Sequence, residues 1–272
     1  MGYIQTRAGR LFVEAAGRGP AVLLWHSFLC DRTMWRAQVD ALQGDYRLIL
    51  IDGPGHGLSS PPPPAFALAD CALAALEVLD AAGVERAVVG GISWGGIVAM
   101  QVALRAPERV RALALLDTSA DRETPFARLR NGCLARIARR YGILTILEPF
   151  IVASLFSRRV PREAPEVCAR VLRSMRAADR ETLFRVMTAI AGRESFLAEL
   201  GRIRVPTLVV VGGEDRLTRP LHSERIARRI AGARLEVIAG AGHLTAVEAP
   251  AEVTRLLQEF LGDVVGPEAG AR

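Results

Sequence analysis

Residues Gly91-Ile92-Ser93-Trp94-Gly95 lie between an apolar run, Ala87-Val88-Val89, and a helix-like stretch, Ile97-Val98-Ala99-Met100-Gln101. This pattern of strand, sharp turn and helix constrains the fold more than any other feature of the chain. A serine on such a turn is held in a strained backbone conformation, with its hydroxyl lifted off the sheet edge. Glycines two before and two after it lack a Cβ, so strand and helix can approach closely. The pentapeptide alone carries little weight. Gly-x-Ser-x-Gly arises by chance in roughly one chain in ten of this length at average residue usage.

The surrounding pattern adds the weight. Apolar runs rich in β-branched residues recur at Ala21–Trp25, Leu48–Ile51, Ala87–Val89, Ala112–Leu116, Leu208–Val211 and Leu235–Ile238. Most are continuous, as strands covered by helices on both faces must be. Helical stretches fall between several of them, at 68–82 before Gly83, 97–106 before Pro107, 220–231 before Gly232 and 250–261 before Gly262. The alternation predicts an α/β fold with a largely parallel sheet wrapped in helices. Gly2–Arg7 and Arg10–Ala15 are predicted as a leading antiparallel hairpin. Met1-Gly2 with Thr6 also fits a formal myristoylation pattern, but the alternation from Tyr3 to Arg7 favours a strand.

From Ser119 to Leu200 the strand signal stops. Leu129–Tyr141, Ile143–Leu155, Pro165–Ala177 and Glu181–Ala191 are predicted as helices. This stretch is too long for a simple crossover. The expected organisation is a core of residues 1–118 and 201–272, with a helical cap of 119–200 lying over the carboxyl edge of the sheet. Pro61–Pro64 is expected to be a rigid extended connector, and the residues after Gly266 are expected to fray.

With 272 residues, half of them hydrophobic, the chain can bury the core of one large domain. No apolar run reaches the length of a membrane span, and no secretory signal is expected from the first residues, which lack a charged n-region and an apolar h-region. Cys30, Cys71, Cys133 and Cys168 show neither close pairing nor metal-ligand spacing, so free thiols in a reducing cytoplasm are expected. Cys71 and Cys168 fall in helical runs and are expected to be buried. The net charge is +6, and every Lys-or-Arg position is arginine. The excess is concentrated: residues 119–200 hold 15 arginines against 9 acidic residues, and the rest of the chain is neutral. The arginines fall at many helix phases without a nucleic-acid-binding module, so no nucleic-acid partner is expected. A solvated surface is the default, with an anionic substrate or partner as the alternative. No membrane partner is expected, and the sequence leaves the oligomeric state open.

A serine hydroxyl needs a base to take its proton, and that base needs a third group to orient it. Asp215 follows the run Leu208–Val211, and His243 follows Leu235–Ile238. Both lie with Ser93 just past the carboxyl ends of predicted strands, where sites form in open parallel sheets. Asp117, at the end of Ala112–Leu116, competes with Asp215. His26, His56 and His222 compete with His243. Asp52 and His56 read as turn-stabilising residues.

These residues resemble the α/β-hydrolase superfamily over residues 9–261, in the branch with a helical cap after the sixth strand. The resemblance rests on Gly17-x-Gly19-Pro20, His26, Asp52-Gly53-Pro54-Gly55-His56-Gly57-x-Ser59, Gly91–Gly96, Gly213-x-Asp215-x-x-x-x-Pro220 and Gly242-His243. It implies a mostly parallel eight-stranded sheet flanked by helices. It also implies Ser93 as nucleophile, His243 as general base and then acid, and Asp215 as the orienting carboxylate. The backbone N–H groups of Phe28 and Trp94 would form the oxyanion hole, and their side chains would touch substrate. The chain departs from the pattern at His26-Ser27, where the family usually has His-Gly. Ser at the nucleophile position argues against haloalkane dehalogenases and epoxide hydrolases of this fold, whose turn carries Asp.

The expected reaction is cleavage of carboxylic esters of small or medium acyl groups through an acyl-enzyme, with a small-molecule substrate and no cofactor or metal. Alternatives are an enol-lactonase similar to 3-oxoadipate enol-lactonase, in which a cap arginine binds a substrate carboxylate, and a carbon–carbon bond hydrolase. A ligand sensor that keeps the triad is the non-enzyme alternative, suggested by Cys30-Asp31-x-x-x-Trp35. The sequence singles out no particular cap arginine.

Overall fold

A computed structural model describes residues 1–266 of the chain, and the residues expected to fray after Gly266 lie outside the described residues. Eight strands form one sheet: β1 (Gly2–Thr6), β2 (Gly9–Ala16), β3 (Ala21–Trp25), β4 (Arg47–Ile51), β5 (Ala87–Ile92), β6 (Val110–Leu116), β7 (Thr207–Gly212) and β8 (Arg234–Ile238). Their order across the sheet is β1-β2-β4-β3-β5-β6-β7-β8. The β1–β2 and β2–β4 pairs are antiparallel. Every pairing from β4 through β3 to β8 is parallel. The strands β3, β5 and β7 are buried at every position, as their continuous apolar runs require of strands with helices on both faces.

Eleven α-helices complete the described chain: α1 (Arg36–Leu42), α2 (Leu68–Ala81), α3 (Trp94–Arg105), α4 (Pro125–Tyr141), α5 (Glu148–Leu155), α6 (Val160–Glu163), α7 (Pro165–Ala177), α8 (Arg180–Gly192), α9 (Pro220–Arg229), α10 (Thr245–Glu248) and α11 (Pro250–Val265). One apolar cluster joins residues of α2, α3 and α9 to one face of the sheet. A second joins α1, α7 and α11 to the other face. Cys71 and Cys168 lie in these clusters, on α2 and α7, and all four cysteines are free.

The structure corrects several boundaries. The helix after Ser93 begins at Trp94 rather than Ile97. The one expected at 143–155 is a short 3-10 turn, Thr145–Leu147, followed by α5 with Pro149 in its first turn. The last helix runs through Gly262 to Val265 and ends at Gly266, whose φ of 43° suits a glycine. Helices α1, α6 and α10 were not expected at all. The five helices α4 to α8 occupy the chain between β6 and β7, and no strand is found there.

Candidate active site

Ser93 joins β5 to α3 with φ 55° and ψ −111°, a strained conformation for a residue with a side chain. The flanking glycines are required by contact. A Cβ on Gly91 would strike the backbone of Gly95, and one on Gly95 would strike the Trp25 carbonyl at the end of β3. The turn is held from the next strand as well: Ser93 N–H donates to the Leu116 carbonyl at 2.9 Å, and Thr118 Oγ1 donates to the Ser93 carbonyl at 2.7 Å.

Three strand ends meet here. His243 Nε2 lies 2.9 Å from Ser93 Oγ. His243 Nδ1 lies 2.9 Å from Asp215 Oδ2. An ionised Asp215 can only accept, so Nδ1–H donates to it and Nε2 is left free to accept the serine O–H. Asp215 is buried and held in place: its Oδ1 accepts from Leu217 N–H at 2.8 Å and Thr218 N–H at 2.9 Å, and its Oδ2 accepts from Thr218 Oγ1 at 2.7 Å. His243 N–H donates to the Leu155 carbonyl at 2.9 Å, which ties the histidine loop to the end of α5.

The electrostatics follow from burial against pairing. Burial raises the Asp215 carboxyl, but His243 and the bonds from His243 and Thr218 outweigh it, and the net shift is downward. Burial lowers His243, but Asp215, with smaller help from Asp117 and Glu248, shifts it upward. Asp117 is the contrast. It sits at the end of β6 with φ 44°, fully buried, and touches neither Ser93 nor His243 by a hydrogen bond. Its Oδ1 accepts from Gly212 N–H at 2.9 Å, and its Oδ2 accepts from Thr245 N–H at 3.0 Å and Thr245 Oγ1 at 2.5 Å. Burial and the neighbouring Asp215 push its carboxyl up to about 8.

The other histidines are placed elsewhere. His26 Nε2 accepts from Gly53 N–H at 2.7 Å while its Nδ1–H donates to the Ser27 carbonyl at 2.7 Å. His56 Nε2 accepts from Leu29 N–H at 3.2 Å, and its Nδ1–H donates to the Pro54 carbonyl at 2.9 Å. Burial holds His26 down to about 4 and His56 down to about 3, so both stay neutral bridges between the loops after β3 and β4. His222 lies on α9, with Nδ1 3.1 Å from the Arg219 carbonyl. Asp52 accepts from Arg32 N–H at 2.8 Å, Arg32 Nη1 at 2.7 Å and Leu58 N–H at 2.9 Å, so it fastens the same loops.

In the loop after β3, Ser27 lies outside the left-handed region, and the positive φ falls instead at Leu29, 68°. The serine that replaces the usual glycine therefore needs no special backbone. Ser27 N–H donates to Met34 Sδ and Leu29 N–H to His56, whereas the intervening Phe28 N–H has no protein acceptor among the described residues. Trp94 N–H, at the first position of α3, has no intrahelical partner by geometry. The Trp94 ring is buried and packs edge-on against Trp25 with centroids 5.5 Å apart, while Phe28 is half-buried and packs against His56 at 5.5 Å. Thr118, Thr218 and Glu248 support this site without having been singled out from sequence. The one available signal was a hydroxyl three residues after Asp215.

The model of the alpha/beta hydrolase family matches residues 22–256. The chain is similar to a thermophilic esterase from Thermogutta terrifontis, solved with malate bound, at 32% identity and a TM-score of 0.91, covering 97% of this chain and 98% of the other. It is similar to the enol-lactonase from Burkholderia xenovorans LB400 at 25% identity and a TM-score of 0.88, covering 95% and 99%. Among curated relatives, 3-oxoadipate enol-lactonase 1 of Acinetobacter baylyi is 26% identical over 265 residues, or 96% of this chain and 97% of the relative.

Proposed function

Because the chain belongs to the alpha/beta hydrolase family, we propose that it cleaves carboxylic esters of small or medium acyl groups through an acyl-enzyme on Ser93. The observation that carries this reading is the unbroken line of hydrogen bonds from Ser93 Oγ through the His243 ring to Asp215. His243 Nε2 takes the hydroxyl proton as Oγ attacks the ester carbonyl. The same nitrogen gives that proton to the departing alcohol. A water then enters, loses its proton to His243, and releases the acid from Ser93. Asp215 stays ionised throughout and stabilises the imidazolium.

Charge develops on the carbonyl oxygen during both attacks. The N–H groups of Phe28 and Trp94 are the donors for it, each free of a competing protein acceptor. Losing one such donor typically costs ~3 kcal/mol in the transition state. Residues 119–200 act as a cap over this edge of the sheet. The tie from His243 N–H to Leu155 supports that placement, as does the Cβ-sized gap that Gly55 leaves for Thr182 of α8.

An anionic lactone is the second reading, favoured by one side chain. Arg193 Nε is buried with no partner among the described residues, while its Nη1 donates to the Ile190 carbonyl at 2.8 Å. Its segment is tied to the sheet edge by Phe196 N–H, which donates to the Ala120 carbonyl at 3.1 Å. Glu123 and Asp121 already favour the charged guanidinium against burial, and a substrate carboxylate would compete with them by accepting from the free Nε–H.

The test is a panel of nitrophenyl esters of rising chain length beside several lactones. Turnover of the short and medium esters is expected, with none in Ser93→Ala. A Ser93→Ala protein that hydrolyses the panel at the wild-type rate removes Ser93 from this role. Arg193→Gln is expected to raise KM for an anionic lactone more than for a neutral ester. Equal effects on the two dispose of the lactone reading.

A further inference from the structure

Helix α4 turns one face inward and leaves the other without a partner among the described residues. Ala135 and Ala138 are buried where α4 packs on α8. Phe126, Leu129, Cys133, Ile137 and Tyr141 recur at helical spacing on the opposite side. Phe126 is 75% exposed, Leu129 67% and Tyr141 59%. An apolar stripe of this size on a soluble surface marks a place where something docks.

The charges around the stripe restrict what that is. The helix carries five arginines and no acidic residue. Arg128 pairs with Glu194 and Arg139 with Glu181. Arg130, Arg136 and Arg140 are exposed and form no ion pair among the described residues. At about 100° per residue, Arg136 and Arg140 lie towards one edge of the stripe and Arg130 towards the other. A second copy of the chain is a poor fit. A two-fold contact presents one face to itself, which would set arginine against arginine with no carboxylate on the helix to answer. The outer face of a helix is also a ridge, without the pockets that seat a protein partner's anchors.

A fluid anionic surface meets both demands. Phosphate oxygens take guanidinium groups, and the acyl boundary accepts apolar side chains without a shaped pocket. We propose that the outer face of α4 docks this protein on anionic lipid surfaces, with Phe126 and Leu129 entering the acyl boundary and Arg130, Arg136 and Arg140 engaging headgroup phosphates. This is contact in the plane of the interface. No described helix is long and apolar enough to cross a membrane, and the sequence-based expectation of no membrane partner rested on spanning segments alone. The proposal is independent of the chemistry assigned to Ser93.

The experiment is co-sedimentation of the full chain with vesicles of phosphatidylglycerol and phosphatidylcholine, against vesicles of phosphatidylcholine alone. The anionic vesicles are expected to bind at least about tenfold more tightly, and rising salt should release the protein. Phe126→Ser with Leu129→Ser, and separately Arg130→Gln with Arg136→Gln and Arg140→Gln, should each lower binding about tenfold or more. All five positions are exposed, so an unchanged melting curve separates lost docking from lost folding. In Phe126→Trp, the new indole should shift its emission to the blue on adding anionic vesicles, against the buried background of Trp25, Trp35 and Trp94. Equal binding to both vesicles, binding to neither, or full binding by the variants overturns the proposal. So does a dimer in sedimentation velocity that Leu129→Ser dissociates, or an acidic protein that binds this face in place of lipid.

Discussion

At the end of β6, Asp117 spends its carboxylate oxygens on backbone and threonine donors, joining the end of β7 to the start of α10. At the end of β7, Asp215 accepts from a histidine ring that reaches the serine on the β5–α3 turn. Both side chains are buried, both follow parallel strands, and they are near enough to influence each other's titration. One is displaced up to about 8 and the other downward. The difference is the partner. His243 bonds directly to Asp215 and rewards its ionisation, whereas Asp117 feels His243 only from beyond hydrogen-bonding reach and is opposed by the charge of Asp215, so burial wins there. Two aspartates of like position thus divide into one that bonds to His243 and one that fastens the loops around it.

The strongest way to break this division is to remove what each end serves. Ser93→Ala should lower kcat by about 10^6-fold if this site behaves as triads acting as a unit do, with melting nearly unchanged. Asp215→Asn should cost about 10^4-fold in kcat, because an amide can donate to Nδ1 and fix the wrong tautomer. Asp117→Asn should cost far less activity and more stability, about 1–3 kcal/mol, because the amide can set a donor against Thr245 N–H. If Asp117→Asn abolishes turnover and Asp215→Asn spares it, the two roles are exchanged.

The pH responses sharpen the same comparison. The proposed route needs neutral His243, whose pKa is shifted up, so kcat/KM should fall on acidification with a midpoint above 6.5. In Asp215→Asn the residual activity should have its midpoint at lower pH, since the stabilising carboxylate is gone. For Asp117 the sign is opposite to that of a paired carboxylate. Its folded pKa of about 8 exceeds the unfolded value near 3.8, so its contribution to stability is complete below pH 3.8 and disappears as pH rises through 8. The melting-temperature gap between wild type and Asp117→Asn should therefore be wider at pH 5 than at pH 9. The smallest effect is expected at Thr218→Val, which removes one hydrogen bond from Asp215 and should cost about 1 kcal/mol, or several-fold in kcat/KM.

The sheet was legible because its central strands are buried on both faces, and continuous runs such as Leu208–Val211 leave no other reading. The Ser93 turn was legible because two close backbone approaches demand glycine at fixed spacing. The choice between Asp117 and Asp215 was not decided by local sequence, since both follow strands. Their hydrogen bonds differ because Thr245 and Gly212, from distant parts of the chain, occupy Asp117. The same limit applies at Gly262. Its added Cβ would meet nothing and its φ is not positive, so α11 passes through it, held by buried Leu256, Leu257, Phe260 and Leu261. Helix α1 was missed because seven residues with two buried aliphatic positions, Val39 and Leu42, give too short a period to read. Between β6 and β7, helix spacing could be read but not which arginines stay unpaired, because pairing depends on how α4 and α8 face each other.

The central claim is that the Ser93 hydroxyl becomes covalently acylated. Incubation with a nitrophenyl alkylphosphonate, followed by mass spectrometry of proteolytic peptides, tests it directly. One alkylphosphonyl group on Ser93, absent when His243 is replaced by alanine, is the predicted result. An unmodified Ser93 peptide from protein that still hydrolyses esters, or an adduct on another residue, contradicts it.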